Sequence, residues 1–208
     1  MTIIVHHLEN SRSQRILWLL DELGLPYEIK RYERNKKTML APPELKQVHP
    51  LGKSPVIEDD GVVVAETGAI VEYLVEKADG RMGPGHHRDS VLRYRQFIHY
   101  AEGSMMPPLF AMLVVGRIPL FGKSALKRLS PMFDVHLDYL EAELASRPWF
   151  AGDEISAADV MMSFPLEAAR SRAGLDGSRP AITAWLDKIH ARPAYQTALA
   201  KGGPYAYA

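Results

Sequence analysis

The stretch Ser54–Ile70, SPVIEDDGVVVAETGAI, contains two short apolar runs with Asp60-Gly61 between them. Asp-Gly is a favoured pair at the centre of a tight β-hairpin turn, because the turn requires positive φ angles. The stretch therefore predicts two antiparallel strands that lead directly into a helix. Ser54-Pro55 and Glu66-Thr67 stand at the two outer ends of this hairpin.

The segments before the hairpin extend it into a small α/β unit. The apolar run Thr2–Val5 is typical of a buried strand. A helical pattern begins at about Ser13, and Gly24 with Pro26 ends it. The predicted order is β-α-β-α-β-β-α, with parallel and antiparallel pairs in one sheet. The remaining predicted elements are a second strand at Pro26–Glu33, a weak helix at Pro43–Val48 and a helix at Gly68–Lys77.

The pattern changes at Asp79–Arg88, where glycine, proline and charged residues dominate as in a linker. Beyond this segment, apolar residues recur at helical spacing and strand patterns do not return. We therefore predict the fold class α/β plus all-α, an α/β domain followed by an all-helical domain. The predicted limits are 1–79 for the first domain, 80–88 for the linker and 89–208 for the second domain.

Composition narrows the classes of function. The chain has 208 residues, 25 Lys and Arg against 25 Asp and Glu, and no cysteine. Zero net charge argues against nucleic acid as a partner, and thiol chemistry would need a thiol brought by a ligand. The start of the chain does not resemble a signal peptide, and no apolar run approaches the roughly 20 residues of a membrane helix. We expect a cytoplasmic protein without a membrane partner.

Both ends of the hairpin have a structural and a functional interpretation. Pro55 can simply start a strand, or the Ser54–Pro55 bond is cis and exposes a backbone edge to an extended peptide. Thr67 is predicted as the N-cap of the following helix. The same helix end can attract an anion while Glu66 accepts from an ammonium, and together these features suit the zwitterionic head of an amino acid.

The segment Asn10–Ser13 lies between the first strand and the first helix. Ser11 or Ser13 would suffice as a helix cap. Two hydroxyl groups and the guanidinium of Arg12 exceed what capping requires. The functional alternative is that Ser11 donates a hydrogen bond to an anion at the helix N-terminus.

These segments, in this order, resemble the cytosolic glutathione transferases, in particular a fungal and bacterial subgroup with a serine-rich first turn. The resemblance covers essentially the whole chain and implies a thioredoxin-like first domain joined to an all-helical one. It rests on five segments: SRSQRILWLLDELGLPYE (Ser11–Glu28), APPELKQVHPLGKSPVIED (Ala41–Asp59), AETGAI (Ala65–Ile70), YAEGSMMPPL (Tyr100–Leu109) and ISAADVMMSFPL (Ile155–Leu166).

The resemblance implies a binding site for glutathione as co-substrate. It implies that Pro55 is cis and that the Ser54 backbone pairs with the cysteinyl part of the tripeptide. Glu66 and Thr67 would hold the γ-glutamyl head, and Lys53 would bind the glycyl carboxylate.

The group that activates the thiol stays open at this stage. Family members carry a tyrosine, serine or cysteine just after the first strand, and residues 6–13 contain no tyrosine or cysteine. Ser11 is the first candidate and Ser13 the second, while Asn10 and Arg12 are further alternatives. The implied reaction conjugates the glutathione thiolate to electrophilic apolar compounds, and a peroxide is a second acceptor. The alternative is a non-catalytic binding or assembly module of the same fold.

The helical domain is expected to carry the second-substrate side, in a pocket between the domains. The candidates are His99, Met105, Met106 and Phe110, although the methionines would equally suit a core. The family also implies a homodimer.

Other polar clusters have structural explanations. Ser156 and Asp159 match a capping box. His6-His7 and His86-His87 are not expected to bind a metal, because adjacent strand residues face opposite sides and the second pair lies in the linker.

Overall fold

The computed structural model describes residues 2–208, which form two compact units. The first unit comprises residues 2–83, 190–206 and 208, and the second comprises residues 84–189 and 207. The final helix therefore packs with the first unit, although it follows the helical segments in sequence. These units are groups of residues that pack together and do not test sequence boundaries. The domain limits 1–79, 80–88 and 89–208 therefore stay a prediction.

The first unit is built on a four-stranded mixed sheet with strand order β2-β1-β3-β4. β1 pairs with β2 in parallel, and the pairs β1–β3 and β3–β4 are antiparallel. The predicted thioredoxin-like order of elements is confirmed. The elements are β1 Ile3–Leu8, α1 Ser13–Leu23, β2 Tyr27–Tyr32, α2 Leu45–Val48, β3 Val56–Asp59, β4 Val62–Ala65 and α3 Thr67–Lys77, with α9 Pro193–Gly202 added from the end of the chain.

The hairpin turn follows the prediction. Asp60 has φ 51° and Gly61 has φ 78°. Positive φ at both central residues is the conformation whose twist matches that of the flanking strands. The turn thereby sets the register in which Asp59 pairs with Val62 and Val56 with Ala65.

Helix α9 is held against α1 by charged and aromatic contacts. The Arg192 guanidinium binds both carboxylate oxygens of Glu22, at 2.5 and 2.8 Å. Trp18 packs edge-on against Tyr195, with ring centroids 5.3 Å apart. Burial alone would raise the pKa of Glu22, but the hydrogen bonds from Arg192 and Trp18 together lower it below its usual value. Glu22 is therefore a charged anchor for the last helix.

The start of α3 corrects one prediction. Thr67 is the first residue of the helix and Glu66 is its N-cap, with φ 72° and no side-chain capping bond. The prediction that Thr67 is the N-cap was wrong. The sharp change of direction between β4 and α3 falls at Glu66, whose carbonyl oxygen already accepts the Ile70 N–H at 2.9 Å. The helix therefore begins one residue earlier than the pattern indicated.

The second unit is all-helical, as predicted. A single π-helical turn, Ala101–Met105, joins its first two helices. The core contains Phe97, Phe133, Phe150 and Trp185, and the ring centroids of Phe97 and Phe150 are 4.7 Å apart. The helices are α4 Arg88–Tyr100, α5 Met106–Gly116, α6 Gly122–Ser146, α7 Ala157–Arg172 and α8 Pro180–His190.

The predicted capping box at the start of α7 is confirmed. Asp159 is completely buried and accepts four hydrogen bonds. The Phe150 N–H (3.0 Å) and the Trp185 indole N–H (3.3 Å) bind one carboxylate oxygen. The Ser156 N–H (2.9 Å) and hydroxyl (3.1 Å) bind the other. The carboxylate thus ties α7 to α8 and to the segment before α7.

Across residues 2–208, none of the helices combines the length and apolar character needed to cross a membrane.

Candidate functional site

The register of the sheet brings the three predicted segments of the site together within the first unit. Val56 pairs with His6 on one side and with Ala65 on the other. Ser54-Pro55 directly precedes Val56, and Glu66-Thr67 directly follows Ala65. The turn that contains Ser11 follows β1 at the same end of the sheet. Segments that are about 45 residues apart in sequence therefore meet at one edge.

The backbone N–H of Leu8 connects the first turn, which contains Ser13, with the Ser54–Pro55 loop. The Leu8 N–H lies 3.2 Å from the Ser13 Oγ and 3.3 Å from the Ser54 Oγ. The Ser54 hydroxyl in turn donates to the His6 carbonyl at 2.7 Å. The Ser54–Pro55 peptide bond is cis, as the resemblance implied. The Ser54 side chain thus anchors this loop to β1.

The two serines of the first turn belong to a buried chain of hydrogen bonds. The Ser11 Oγ lies 2.8 Å from the Ser13 Oγ, and the Ser13 Oγ lies 2.8 Å from the His7 Nδ1. The Ser13 N–H donates to the Ser11 Oγ at 3.2 Å. Ser11 is 5% exposed, whereas Ser13 is completely buried. Of the two residues, only Ser11 keeps any exposed surface.

His7 links this chain to helix α9. The ring makes a hydrogen bond with the Gly202 backbone that favours the protonated imidazole, so the Gly202 carbonyl is the acceptor. A methyl group on Gly202 would lie 2.5 Å from the Gln14 Oε1 and 3.3 Å from the His7 Nε2. Glycine therefore allows the end of α9 to approach the ring.

The positions of His7 and Gly202 were not predicted from the sequence. His7 was considered only as half of a possible metal-binding pair, and a glycine some 195 residues away carries no sequence signal for such a contact. A buried histidine followed six residues later by a serine was the only local indication. Burial lowers the pKa of His7 to about 4, so the imidazole is neutral at pH 7.

Asn10 and Arg12, the two further candidates for activating the thiol, both lie just before α1. Asn10 has φ 48°, a conformation that asparagine tolerates better than most residues. Its side-chain oxygen accepts the Ala206 N–H at 2.7 Å. Arg12 is the N-cap of α1 and is half-buried. The Asn10 amide therefore already has a structural role.

The residues predicted to bind the tripeptide differ in exposure. Lys53 and Glu66 are exposed, and Thr67 is 5% exposed. Ser54 is half-buried, and Pro55 is buried. The charged side chains of Lys53 and Glu66 are therefore accessible to a ligand, whereas Thr67 and Pro55 are packed inside the protein.

The four candidates in the helical unit do not share one environment. Met105 and Met106 are core residues, with 0% and 3% exposure. His99 is exposed, and Phe110 is 60% exposed. The core interpretation therefore describes the two methionines, and their contact with a second substrate stays a prediction.

The neighbouring histidine has different partners from His7. The His6 Nδ1 lies 2.8 Å from the Tyr32 hydroxyl, and the His6 Nε2 lies 2.7 Å from the Glu58 carboxylate. Burial lowers the pKa of His6, although the hydrogen bond with Glu58 opposes the shift. His86 and His87 are exposed. Residues 2–208 contain no group of three or more side chains arranged to hold a metal ion.

The fold and this site define a class of protein: a thioredoxin-like unit with a cis-proline loop, joined in sequence to an all-helical unit. Family models agree with this class. Residues 2–76 match the glutathione S-transferase N-terminal domain, and residues 105–193 match the glutathione S-transferase C-terminal domain.

Known proteins give the same result over the full length. The chain is 38% identical to glutathione S-transferase 3 of Schizosaccharomyces pombe, over 96% of this chain and 87% of the relative. It superposes with a TM-score of 0.89 on a crystal structure of a glutathione S-transferase from Actinobacillus pleuropneumoniae, at 34% identity over 99% and 95% of the two chains. Ure2p in complex with glutathione shares the fold, with a TM-score of 0.81 at 20% identity over 95% and 98% of the chains. The chain belongs to the glutathione S-transferase family, and the function of this family is that of a transferase acting with glutathione.

Proposed function

We propose that this protein activates the thiol of glutathione beside Ser11 and transfers the thiolate to an electrophilic apolar compound. One observation carries the proposal: Ser11, the Ser54–Pro55 loop and Glu66-Thr67 meet at one edge of the sheet. A peptide bound there would have a hydroxyl donor, a backbone edge and an acidic side chain within its length. The known structure with bound glutathione on this fold supports glutathione as the ligand.

Each part of the tripeptide has a proposed partner. The Ser54 backbone pairs with the cysteinyl residue, as a strand pairs with the edge of a sheet. Glu66 accepts from the γ-glutamyl ammonium, and the Thr67 N–H end of α3 binds its carboxylate. Lys53 binds the glycyl carboxylate. The cysteinyl sulfur then lies near the first turn, with Ser11 as its donor.

The chemical demand on the site is modest. A free thiol has a pKa of about 8.5, so only a few per cent is thiolate at pH 7. Lowering that value by about 2 units requires about 2.7 kcal/mol. A hydroxyl that donates to the thiolate and the positive N-terminal end of α1 together supply free energy of this size. Ser11 is preferred over Ser13 because Ser13 has no exposed surface, whereas Ser11 is 5% exposed.

The second substrate is proposed to be a small electrophilic apolar molecule or a peroxide, with His99 and Phe110 as accessible contacts. The thiolate attacks the electrophilic carbon, the carbon–sulfur bond forms, and the bond to the leaving group breaks, so that the leaving group departs as an anion. With a peroxide, the sulfur attacks one oxygen and the O–O bond breaks, which gives a glutathione sulfenic acid and an alcohol; a second glutathione then displaces water to form the disulfide.

The proposal is tested by the ultraviolet absorbance of the thiolate, measured from pH 5 to 10 with saturating glutathione. We expect the bound thiol to ionise at least one pKa unit below free glutathione, and the protein to conjugate a simple aromatic electrophile. Binding without a shifted pKa and without conjugation would instead identify a non-catalytic glutathione-binding module. Failure to bind glutathione would reject the site.

We also propose a homodimer in the cytoplasm, as the family resemblance implies. Sedimentation velocity at micromolar concentration is expected to give twice the chain mass of 23.3 kDa, and cell fractionation is expected to recover the protein with cytoplasmic markers. A single species of 23.3 kDa would contradict the dimer.

A further inference from the structure

A series of buried hydrogen bonds connects Ser11, Ser13, His7 and Gly202. The donors and acceptors in this series are determined, because the Gly202 carbonyl at one end can only accept. The Gly202 carbonyl has no proton to give, so the His7 Nε2 carries the ring proton and donates it. A neutral imidazole has one N–H, and burial together with the charge of Arg31 keeps this ring neutral. The His7 Nδ1 is therefore an acceptor.

The acceptor at Nδ1 determines where the single Ser13 proton lies. Ser13 is the hydroxyl within reach of Nδ1, at 2.8 Å. The Leu8 carbonyl is a more distant alternative at 3.3 Å, and choosing it would leave a buried nitrogen unpaired. Ser13 thus donates to His7, and its oxygen accepts the Leu8 N–H at 3.2 Å.

The last step concerns Ser11. Its oxygen lies 2.8 Å from the Ser13 oxygen, whose proton is already committed to His7. Ser11 must therefore be the donor of this bond, while it accepts the Ser13 N–H. We propose that His7, acting through Ser13, directs the Ser11 hydroxyl proton into the protein and so limits how readily Ser11 donates to a bound thiolate. This inference rests on the proposed function of Ser11, and it makes His7 and Ser13 positioning residues.

A proton relay from the thiol to His7 is a different idea, and the pKa values disfavour it. Burial lowers the pKa of His7 to about 4, about 2.5 units below a bound thiol that ionises about 2 units below 8.5. Transfer of the thiol proton to this ring would be unfavourable by a factor of roughly 300. The chain orients a proton and does not carry one.

The orientation has a measurable consequence. For Ser11 to donate to sulfur, its hydroxyl must give up the hydrogen bond to the Ser13 oxygen. That oxygen still accepts the Leu8 N–H. The protein therefore loses one internal hydrogen bond when the thiolate is stabilised. We expect this competition to hold the pKa of the bound thiol about half a unit to one unit above the value that an unrestrained Ser11 would give.

Two substitutions on the same site should shift the bound-thiol pKa in opposite directions. Ser11→Ala removes the donor and is expected to raise it. Ser13→Ala removes the inward acceptor and is expected to lower it by half a unit to one unit, which raises the thiolate fraction about three- to eightfold at pH 5, below the pKa of the bound thiol. In the double variant, Ser13→Ala should have no further effect. Ser163→Ala, which removes another buried helical hydroxyl, is the control and should change nothing.

A rise or no change with Ser13→Ala would overturn the proposal, because loss of a direct donor to the thiolate raises the pKa and loss of a purely structural side chain leaves it unchanged. A measurement on the unsubstituted protein guards against variants that fail to fold. Nitrogen-15 chemical shifts of labelled histidine are expected to show His7 neutral at pH 7 with its proton on Nε2, and a proton on Nδ1 would equally refute the proposal.

Different results would contradict the activating role of Ser11 and the inward orientation of its hydroxyl proton. If Ser11→Ala leaves the pKa of the bound thiol unchanged, the activating role of Ser11 is wrong. The tautomer of His7 in the free protein then still decides whether the hydroxyl proton points inward.

Discussion

Ser11→Ala is expected to raise the pKa of bound glutathione by about one unit, and to lower kcat about threefold at pH 7 and about tenfold below pH 5.5. A hydrogen bond to a charged group contributes about 1.5–3 kcal/mol, and part of this is offset by the internal bond that Ser11 gives up. The remainder corresponds to about one pKa unit. The KM for glutathione should change little, because the proposed contacts of Ser54, Glu66 and Thr67 with the tripeptide remain.

The measurement is a pH profile of conjugation combined with the thiolate absorbance of the bound tripeptide. Ser163→Ala serves again as the control, with unchanged profile and absorbance. If turnover of Ser11→Ala equals that of the unsubstituted protein, the activating group must be sought in Ser13, Arg12 or Asn10. A large increase in KM with unchanged kcat would instead make Ser11 a binding residue.

Asp159→Asn is expected to lower the free energy of unfolding by about 2–3 kcal/mol at pH 7.5. The carboxylate oxygens face four donors, two on each oxygen. An amide nitrogen in place of one oxygen would face two donors, which leaves them unpaired in a completely buried position. Urea unfolding measures the loss. Asp153→Asn is the matched control, because Asp153 is exposed, and it should change stability by less than about 0.5 kcal/mol.

The pH dependence gives this prediction a second test. Burial raises the pKa of Asp159 to about 6, although the hydrogen bonds from Phe150, Ser156 and Trp185 oppose the shift. Between the usual value near 4 and pH 6, the folded state holds a proton that the unfolded state has lost. The contribution of Asp159 to stability therefore falls as the pH rises through this range. The stability difference between the unsubstituted protein and Asp159→Asn should be larger at pH 5 than at pH 7.5, and the opposite trend would show that the hydrogen bonds outweigh burial.

Local patterns were sufficient for most of the fold. Asp60-Gly61 predicted the hairpin turn because few residues tolerate positive φ, and Gly24 ended α1 in the left-handed conformation for the same reason. The capping box at Ser156 and Asp159 was likewise readable, because its bonds span three residues. The N-cap of α3 was not, since it depends on the direction in which β4 leaves the sheet.

Some features of the candidate site could likewise be predicted from the sequence, and others could not. The serines of the first turn, the Ser54-Pro55 segment and the acid–hydroxyl pair Glu66-Thr67 were visible as motifs, and the resemblance ordered them along a tripeptide. The burial of Met105 and Met106 was not visible, because a helical pattern does not say which apolar face meets the core.

The sequence by itself determined the order of elements, the hairpin and its register, the family, and the presence of two hydroxyl groups in the first turn. These properties depend on residues that are close in sequence or on motifs that recur within a family. Only the tertiary structure decided that α9 packs on α1, that the Gly202 carbonyl meets His7, and that Ser13 stands between His7 and Ser11. These contacts join residues up to about 195 positions apart, and the direction of a hydrogen bond depends on which atoms finally meet and on which of them can only accept.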